Sequence, residues 1–180
     1  DRAVQVGAAA GLEVEVWDRK RITKERLGGL LGVARGSAQE PRFVTITHRP
    51  DGRPKGRVAL VGKGVTFDSG GLSIKTATGM EWMKTDMAGA ATVLAAMSLA
   101  PLVAPKLEVT AYLPLTDNML GPDATRVGDV LRARNGTTIE VLNTDAEGRL
   151  ILADGLSLAA EATPDAIVDL ATLTGACMVA

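Results

Sequence analysis

The chain has 180 residues, 46% of them hydrophobic, and a formal net charge of −1. That suits one globular domain with a sizeable core and leaves no basic surplus to attract nucleic acid or an anionic membrane. No apolar run approaches the ~20 residues that cross a bilayer; the Ala-rich stretch Ala88 to Ala100 is too short and reads as a buried helix. Cys177 is the only cysteine, which excludes an intrachain disulfide framework or a cysteine zinc cluster and makes a reducing cytoplasm the expected home.

In chain order, residues 1–11 look like the tail of a helix, and Leu12 to Trp17 alternates apolar and polar residues like a half-buried strand. Asp18 opens a charged helix, Arg19 to Leu31, which runs into a glycine-rich stretch through Ser37 expected to follow tight, irregular paths. A second strand, Arg42 to Thr47, leads to a turn-rich connection, His48 to Gly56, placed for hairpin-like reversal, with His48 expected to be exposed. Arg57 to Val61 has the short apolar run of a strand covered on both faces.

That strand delivers Gly62-Lys63-Gly64-Val65-Thr66-Phe67-Asp68-Ser69-Gly70-Gly71. A phosphate-binding P-loop does not fit: the preceding glycine, Gly56, is one residue too early, and Gly64 stands where Ser or Thr should bind magnesium. Asp68 to Gly71 alone could be an ordinary turn. Lys63 is harder to explain so, because a lysine at the end of a buried strand is costly without a partner.

Gly79 to Leu99 gives a long helical pattern, with Asp86 on the face of Met83 and needing a cation or a hydrogen-bond donor there. Leu107 to Leu113 is a further strand, with Asp117 to Pro122 as its loop. Gly128 to Leu131 and Thr137 to Leu142 read as a hairpin around Asn135-Gly136. The hairpin presents Asn143-Thr144-Asp145-Ala146-Glu147-Gly148-Arg149-Leu150, which opens a helix-like run to Ala160. Thr144 and Glu147 match the S/T-x-x-E capping box, so a helix cap competes with a chemical role. Ala166 to Leu170 is expected to be a buried strand ending in Thr172-Leu173-Thr174-Gly175. The chain begins at Asp1 without a methionine and stops at Ala180 before any turn or cap, so a fragment of a longer protein is expected.

Four carboxylates converging from these strand ends would repel one another unless cations held them, and shared carboxylates suit a two-metal site. Lysine could join only as a neutral amine, which makes metal affinity pH-dependent. The oxygen-rich set accepts zinc, manganese, magnesium or cobalt.

The stretch Val61 to Gly71, followed in order by Asn143 to Leu150, resembles the leucyl aminopeptidase family of dizinc cytosol aminopeptidases (peptidase family M17), whose signature is the second motif. The resemblance runs over essentially the whole chain. It implies that residues 1–180 are part of the C-terminal catalytic domain, with the N-terminal domain and the end of the catalytic domain absent. The implied fold is α/β and zinc-exopeptidase-like: a mixed, mainly parallel sheet flanked by helices on both faces, incomplete at both ends.

Carried over position by position, the resemblance makes Lys63, Asp68, Asp86, Asp145 and Glu147 the ligands of two divalent ions, Zn2+ or Mn2+, with Asp68 and Glu147 bridging. Lys75 would polarise the substrate carbonyl, and Arg149 would hold a bicarbonate acting as general base. Met83, Asn143, Thr172, Leu173 and Gly175 would contact substrate. Leu120 and Val127 replace the prolines that relatives often carry in that loop. The implied reaction is hydrolysis of the N-terminal residue, preferably leucine, from peptides with a free N-terminus, through a metal-bound hydroxide in a cytoplasmic homohexamer. Some members also bind DNA, but the near-neutral charge speaks against nucleic acid as a partner. A non-catalytic relative would normally have lost a ligand, Lys75 or Arg149, and all seven are present.

Overall fold

The computed structural model describes residues 1–179; Ala180, where the abrupt stop was noted, lies outside them. A six-stranded mixed sheet forms the centre. Its main path is β1 (Glu13–Trp17), β2 (Arg42–His48), β5 (Glu108–Asn118), β3 (Arg57–Gly62) and β8 (Ala166–Leu170), and β4 (Gly64–Asp68) pairs with the far end of β5. The β1–β2 and β2–β5 pairings are antiparallel, whereas β3–β5, β3–β8 and β4–β5 are parallel.

Alternation along the strands divides the core in two. Val109, Ala111 and Leu113 of β5, with Val44 and Ile46 of β2, pack against Ala90, Val93 and Met97 of α5 (Ala88–Val103), the side that α1 (Arg2–Ala9) also covers. Ala59 and Val61 of β3, with Phe43 and Tyr112, face Leu150, Ile151 and Leu158 of α6 (Glu147–Glu161) and Leu30 and Val33 of α3 (Gly28–Ala34). Helices on both faces of a mixed, mainly parallel sheet agree with the expected class.

Several elements depart from the sequence reading. The charged helix is only α2 (Arg19–Lys24), because Arg26 turns left-handed at φ 59° and ends it. The glycine-rich stretch then becomes helical in α3, where Gly29 lets the chain approach the Leu150 carbonyl too closely for any side chain. The 48–56 connection is no hairpin, since β5 lies between β2 and β3. His48 is buried, as β2 runs one residue further and pairs it with Val109.

The pattern Gly79 to Leu99 breaks into α4 (Ala77–Met80), a 3-10 turn (Met83–Thr85) and α5. Met83 and Asp86 therefore share no helix face; Asp86 sits in the break. Ala77–Val103 is long and apolar enough to cross a membrane on length and composition, but this break leaves α5 with 16 residues, short of the ~20 a span needs. β4 was not foreseen as a strand, and β5 extends to Asn118 rather than yielding to a loop. β8 lies at the sheet edge with Ala166 to Asp169 exposed, because among the described residues it pairs with β3 alone. The hairpin forms as expected, β6 (Val130–Arg132) with β7 (Thr138–Glu140), but as a separate two-stranded sheet.

Candidate metal centre

The carboxyl ends of β3 and β4, the break before α5, the N-terminus of α6 and the segment after β8 meet in an open cleft of about 580 Å3. Clefts in α/β sheets form here because strand ends and helix starts leave a crevice. All twelve residues singled out in the sequence line it: Lys63, Asp68, Lys75, Met83, Asp86, Asn143, Asp145, Glu147, Arg149, Thr172, Leu173 and Gly175. Thr85, Ala146, Gly148, Thr174 and Cys177 line it too and were not anticipated. A larger hollow of about 850 Å3 on the α1–α5 side, walled by residues such as Val4, Leu94 and Leu113, contains none of the twelve.

Lys63 is buried, and its Nζ donates to Asp86 Oδ1 and the Thr172 carbonyl, each at 2.7 Å, and lies 2.9 Å from Glu147 Oε1. The partner that the buried lysine required is thus a pair of carboxylates. Gly148 makes room for it, since a Cβ there would stand 2.7 Å from Lys63 Cε. Lys75 Nζ spans the other two acids, 3.0 Å from Asp68 Oδ2 and 2.7 Å from Asp145 Oδ1. Burial alone would lower the Lys75 pKa, but its bonds to Asp145 and Asp68 outweigh that and raise it. Thr172 Oγ1 donates to Asp86 Oδ1 at 2.8 Å, so this side chain orients an acid as well as lining the cleft.

Two ammonium groups face four carboxylates, an excess of two negative charges if all are ionised. Asp86 Oδ2 and Glu147 Oε2 are buried with no hydrogen-bond partner among the described residues. One oxygen each from Asp68, Asp86 and Glu147 lies within 4.8 Å of the others, all three residues buried. Buried carboxylate oxygens of this kind need a cation or a proton. Burial pushes the Glu147 carboxyl up to about 7, against the opposing pull of Lys63, with Asp68 adding to the rise. Hard oxygen donors at this spacing fit a divalent ion. Asp145 is half-buried and outside the triad, on the Lys75 side. Arg149 is exposed at the cleft.

The capping box does not form. α6 starts after Ala146 with no side-chain cap; Thr144 Oγ1 instead accepts from Ser73 N and donates to the Gly70 carbonyl, and Glu147 points to Lys63. Ser73 returns the contact by accepting from Thr144 N. The turn from Asp68 to Ser73 uses Gly70 and Gly71 at φ 86° and 63°, a conformation that favours glycine.

Residues 1–180 match the model of the cytosol aminopeptidase family, catalytic domain. The chain belongs to this family. Relatives described as "Probable cytosol aminopeptidase" from Chlorobaculum tepidum and Leifsonia xyli subsp. xyli are 54% and 55% identical; each alignment covers all of this chain and 36% of the relative. The chain thus spans about a third of the length of the curated relatives it matches. Among solved structures of similar proteins, the bottromycin maturation enzyme BotP in complex with Mn superposes with a TM-score of 0.93 at 47% identity, covering all of this chain and 40% of that one. A second structure of the bottromycin maturation enzyme BotP gives a TM-score of 0.91 at 47% identity, covering all of this chain and 38% of that one.

Proposed function

We propose that the protein is a dinuclear-metal aminopeptidase that hydrolyses the N-terminal residue, leucine preferred, from peptides with a free N-terminus. The observation that carries this reading is the buried acidic triad with its two unpartnered oxygens, set in a cleft lined by all seven proposed ligand and catalytic residues. Lys63, Asp68, Asp86, Asp145 and Glu147 would hold two divalent ions, Mn2+ by analogy with the Mn complex of BotP, or Zn2+. Such ions supply Lewis-acid polarisation of the scissile carbonyl and a nucleophilic water at neutral pH.

This chain's own residues do the rest. Lys75, kept cationic by Asp145 and Asp68, would stabilise the negative charge that develops on the carbonyl oxygen. Arg149, at the open side of the cleft, provides a seat for an anion such as bicarbonate that can accept the proton of water. Met83, Asn143, Thr172, Leu173 and Gly175 form the wall that orients the peptide's first residue. Residues 1–180 would then be part of a C-terminal catalytic domain whose remainder, with an N-terminal domain, accounts for the greater length of the relatives. The assembly expected on this reading is a cytoplasmic homohexamer.

The test is metal content measured alongside hydrolysis of leucine p-nitroanilide, before and after chelation and return of Mn2+ or Zn2+, with Asp145→Asn as control. Two ions per chain with activity restored on their return is the expected result; a protein that binds no metal refutes the reading.

A further inference from the structure

Asp68 approaches the centre from the end of β4, and only its Oδ2 faces Lys75. Its Oδ1 accepts two hydrogen bonds, from Gly70 N and from Asn118 Nδ2, both at 2.9 Å. The Gly70 donor belongs to Asp68's own turn and moves with it. Asn118 belongs to the last position of β5, where its backbone pairs with Asp68 in the sheet register and its carbonyl accepts from Ser69 N and Ser69 Oγ. It is therefore a donor fixed to the sheet.

The same Asn118 amide also donates to the Thr144 carbonyl at 3.0 Å, in the loop that runs through Asp145 to Glu147 at the start of α6. Both neighbours can only accept, so the NH2 face is the one turned to them. Space around the amide is closed: a Cβ on Gly71 would stand 3.0 Å from Asn118 Oδ1 and 3.0 Å from Thr144 Oγ1. One buried side chain, 5% exposed, thus sets Asp68 and the Thr144 loop in register with each other.

We propose that Asn118, which lies outside the cleft, is a positioning residue for the metal centre: its two amide hydrogens align the acids of two separate loops and thereby set cation affinity. This rests on the metal reading given above. Groups that hold a ligand in place typically govern affinity by about 10–100-fold when removed.

The experiment is Mn2+ titration by calorimetry on the chelated protein and on Asn118→Ala, with low-temperature EPR of the loaded forms. Met97→Ala, a truncation in the core on the α5 side, serves as a control for lost stability alone. The expected result is an Mn2+ affinity about 10–100-fold weaker in Asn118→Ala, an altered EPR spectrum, and unchanged affinity in Met97→Ala. Should Asn118→Ala fail to fold, Asn118→Ser, which keeps one donor, decides by the same criterion with a smaller loss. Unaltered affinity and spectrum in the folded Asn118 variant overturn the proposal while leaving the metal reading intact. Absence of Mn2+ binding by the unsubstituted protein removes both.

Discussion

Helix α6 carries two buried carboxylates, Glu147 in its first turn and Asp154 two turns on, and their surroundings differ sharply. Asp154 is wholly buried, yet each oxygen has a backbone donor: Leu30 N at 2.9 Å to Oδ2 and Arg134 N at 2.8 Å to Oδ1. It ties the start of α3 and the hairpin arm to α6. Glu147 has Lys63 beside one oxygen and, among the described residues, no partner for the other. Burial raises the pKa of both acids, but backbone N–H groups oppose the rise at Asp154, whereas Lys63 opposes it at Glu147. A carboxylate satisfied by main chain serves the fold, and one left open toward other acids is available for chemistry.

The largest expected effect breaks the comparison on the Glu147 side. Glu147→Gln keeps the shape and should abolish measurable peptide hydrolysis and weaken Mn2+ binding beyond about 100-fold, while thermal unfolding of the metal-free protein below the Glu147 pKa of about 7 changes little. Calorimetric titration and a leucine p-nitroanilide assay check both halves. Asp154→Ala should do the reverse, costing roughly 2–4 kcal/mol by leaving buried N–H groups unpaired. Hydrolysis per folded molecule should stay unchanged, as urea unfolding with an activity assay on the folded fraction would show.

pH sharpens the same contrast. With its folded pKa near 7, above the usual 4.5, Glu147 binds a proton more readily in the folded state. Its contribution to the stability of the metal-free protein is therefore full below about 4.5 and is lost as pH rises through about 7. Mn2+ affinity should strengthen over that window, because the ion must displace the proton. In Glu147→Gln the stability trend should weaken to the part owed to Asp154 and the affinity trend to the part owed to Lys63, whereas both should persist in Asp154→Asn, measured by thermal melts and titrations from pH 5 to 8. The smallest effect concerns Arg134, whose side chain pairs with Glu25 and Glu161. Both acids are at least partly exposed, so Arg134→Ala should cost about 1 kcal/mol with no change in metal binding.

Six of the cleft-lining residues, Lys63, Asp68, Asn143, Asp145, Glu147 and Arg149, were legible because they stand in two unbroken motifs, Val61 to Gly71 and Asn143 to Leu150, and because Lys63 made no sense without a buried partner; Lys75, Met83, Asp86, Thr172, Leu173 and Gly175 were placed at the site by the family resemblance. Parts of the fold were misread where tertiary contact overrode local pattern. The glycines of α3 signalled irregularity but serve close packing, and the apolar run after Gly79 hid the break that frees Asp86 to turn inward. β8 reads as buried from composition, yet burial depends on neighbours that a strand's own residues do not reveal. Thr144 fits a capping box in sequence and ties two loops together in space. Asn118 gave no signal, since an asparagine beyond a strand reads as a turn residue, and only the β4–β5 pairing brings it to Asp68.

The Lys63 bond to the Thr172 carbonyl joins residues 109 positions apart. It depends on β3 and β8 having paired in parallel, the kind of long-range closure that forms slowly in folding. A polypeptide leaving the ribosome would carry the glycine turn and the acid-bearing loop well before β8 could dock. The buried acidic centre, with Lys63 tied to Thr172, is therefore completed only once β8 has docked, and a partly folded chain carries its acids before it carries the site they build.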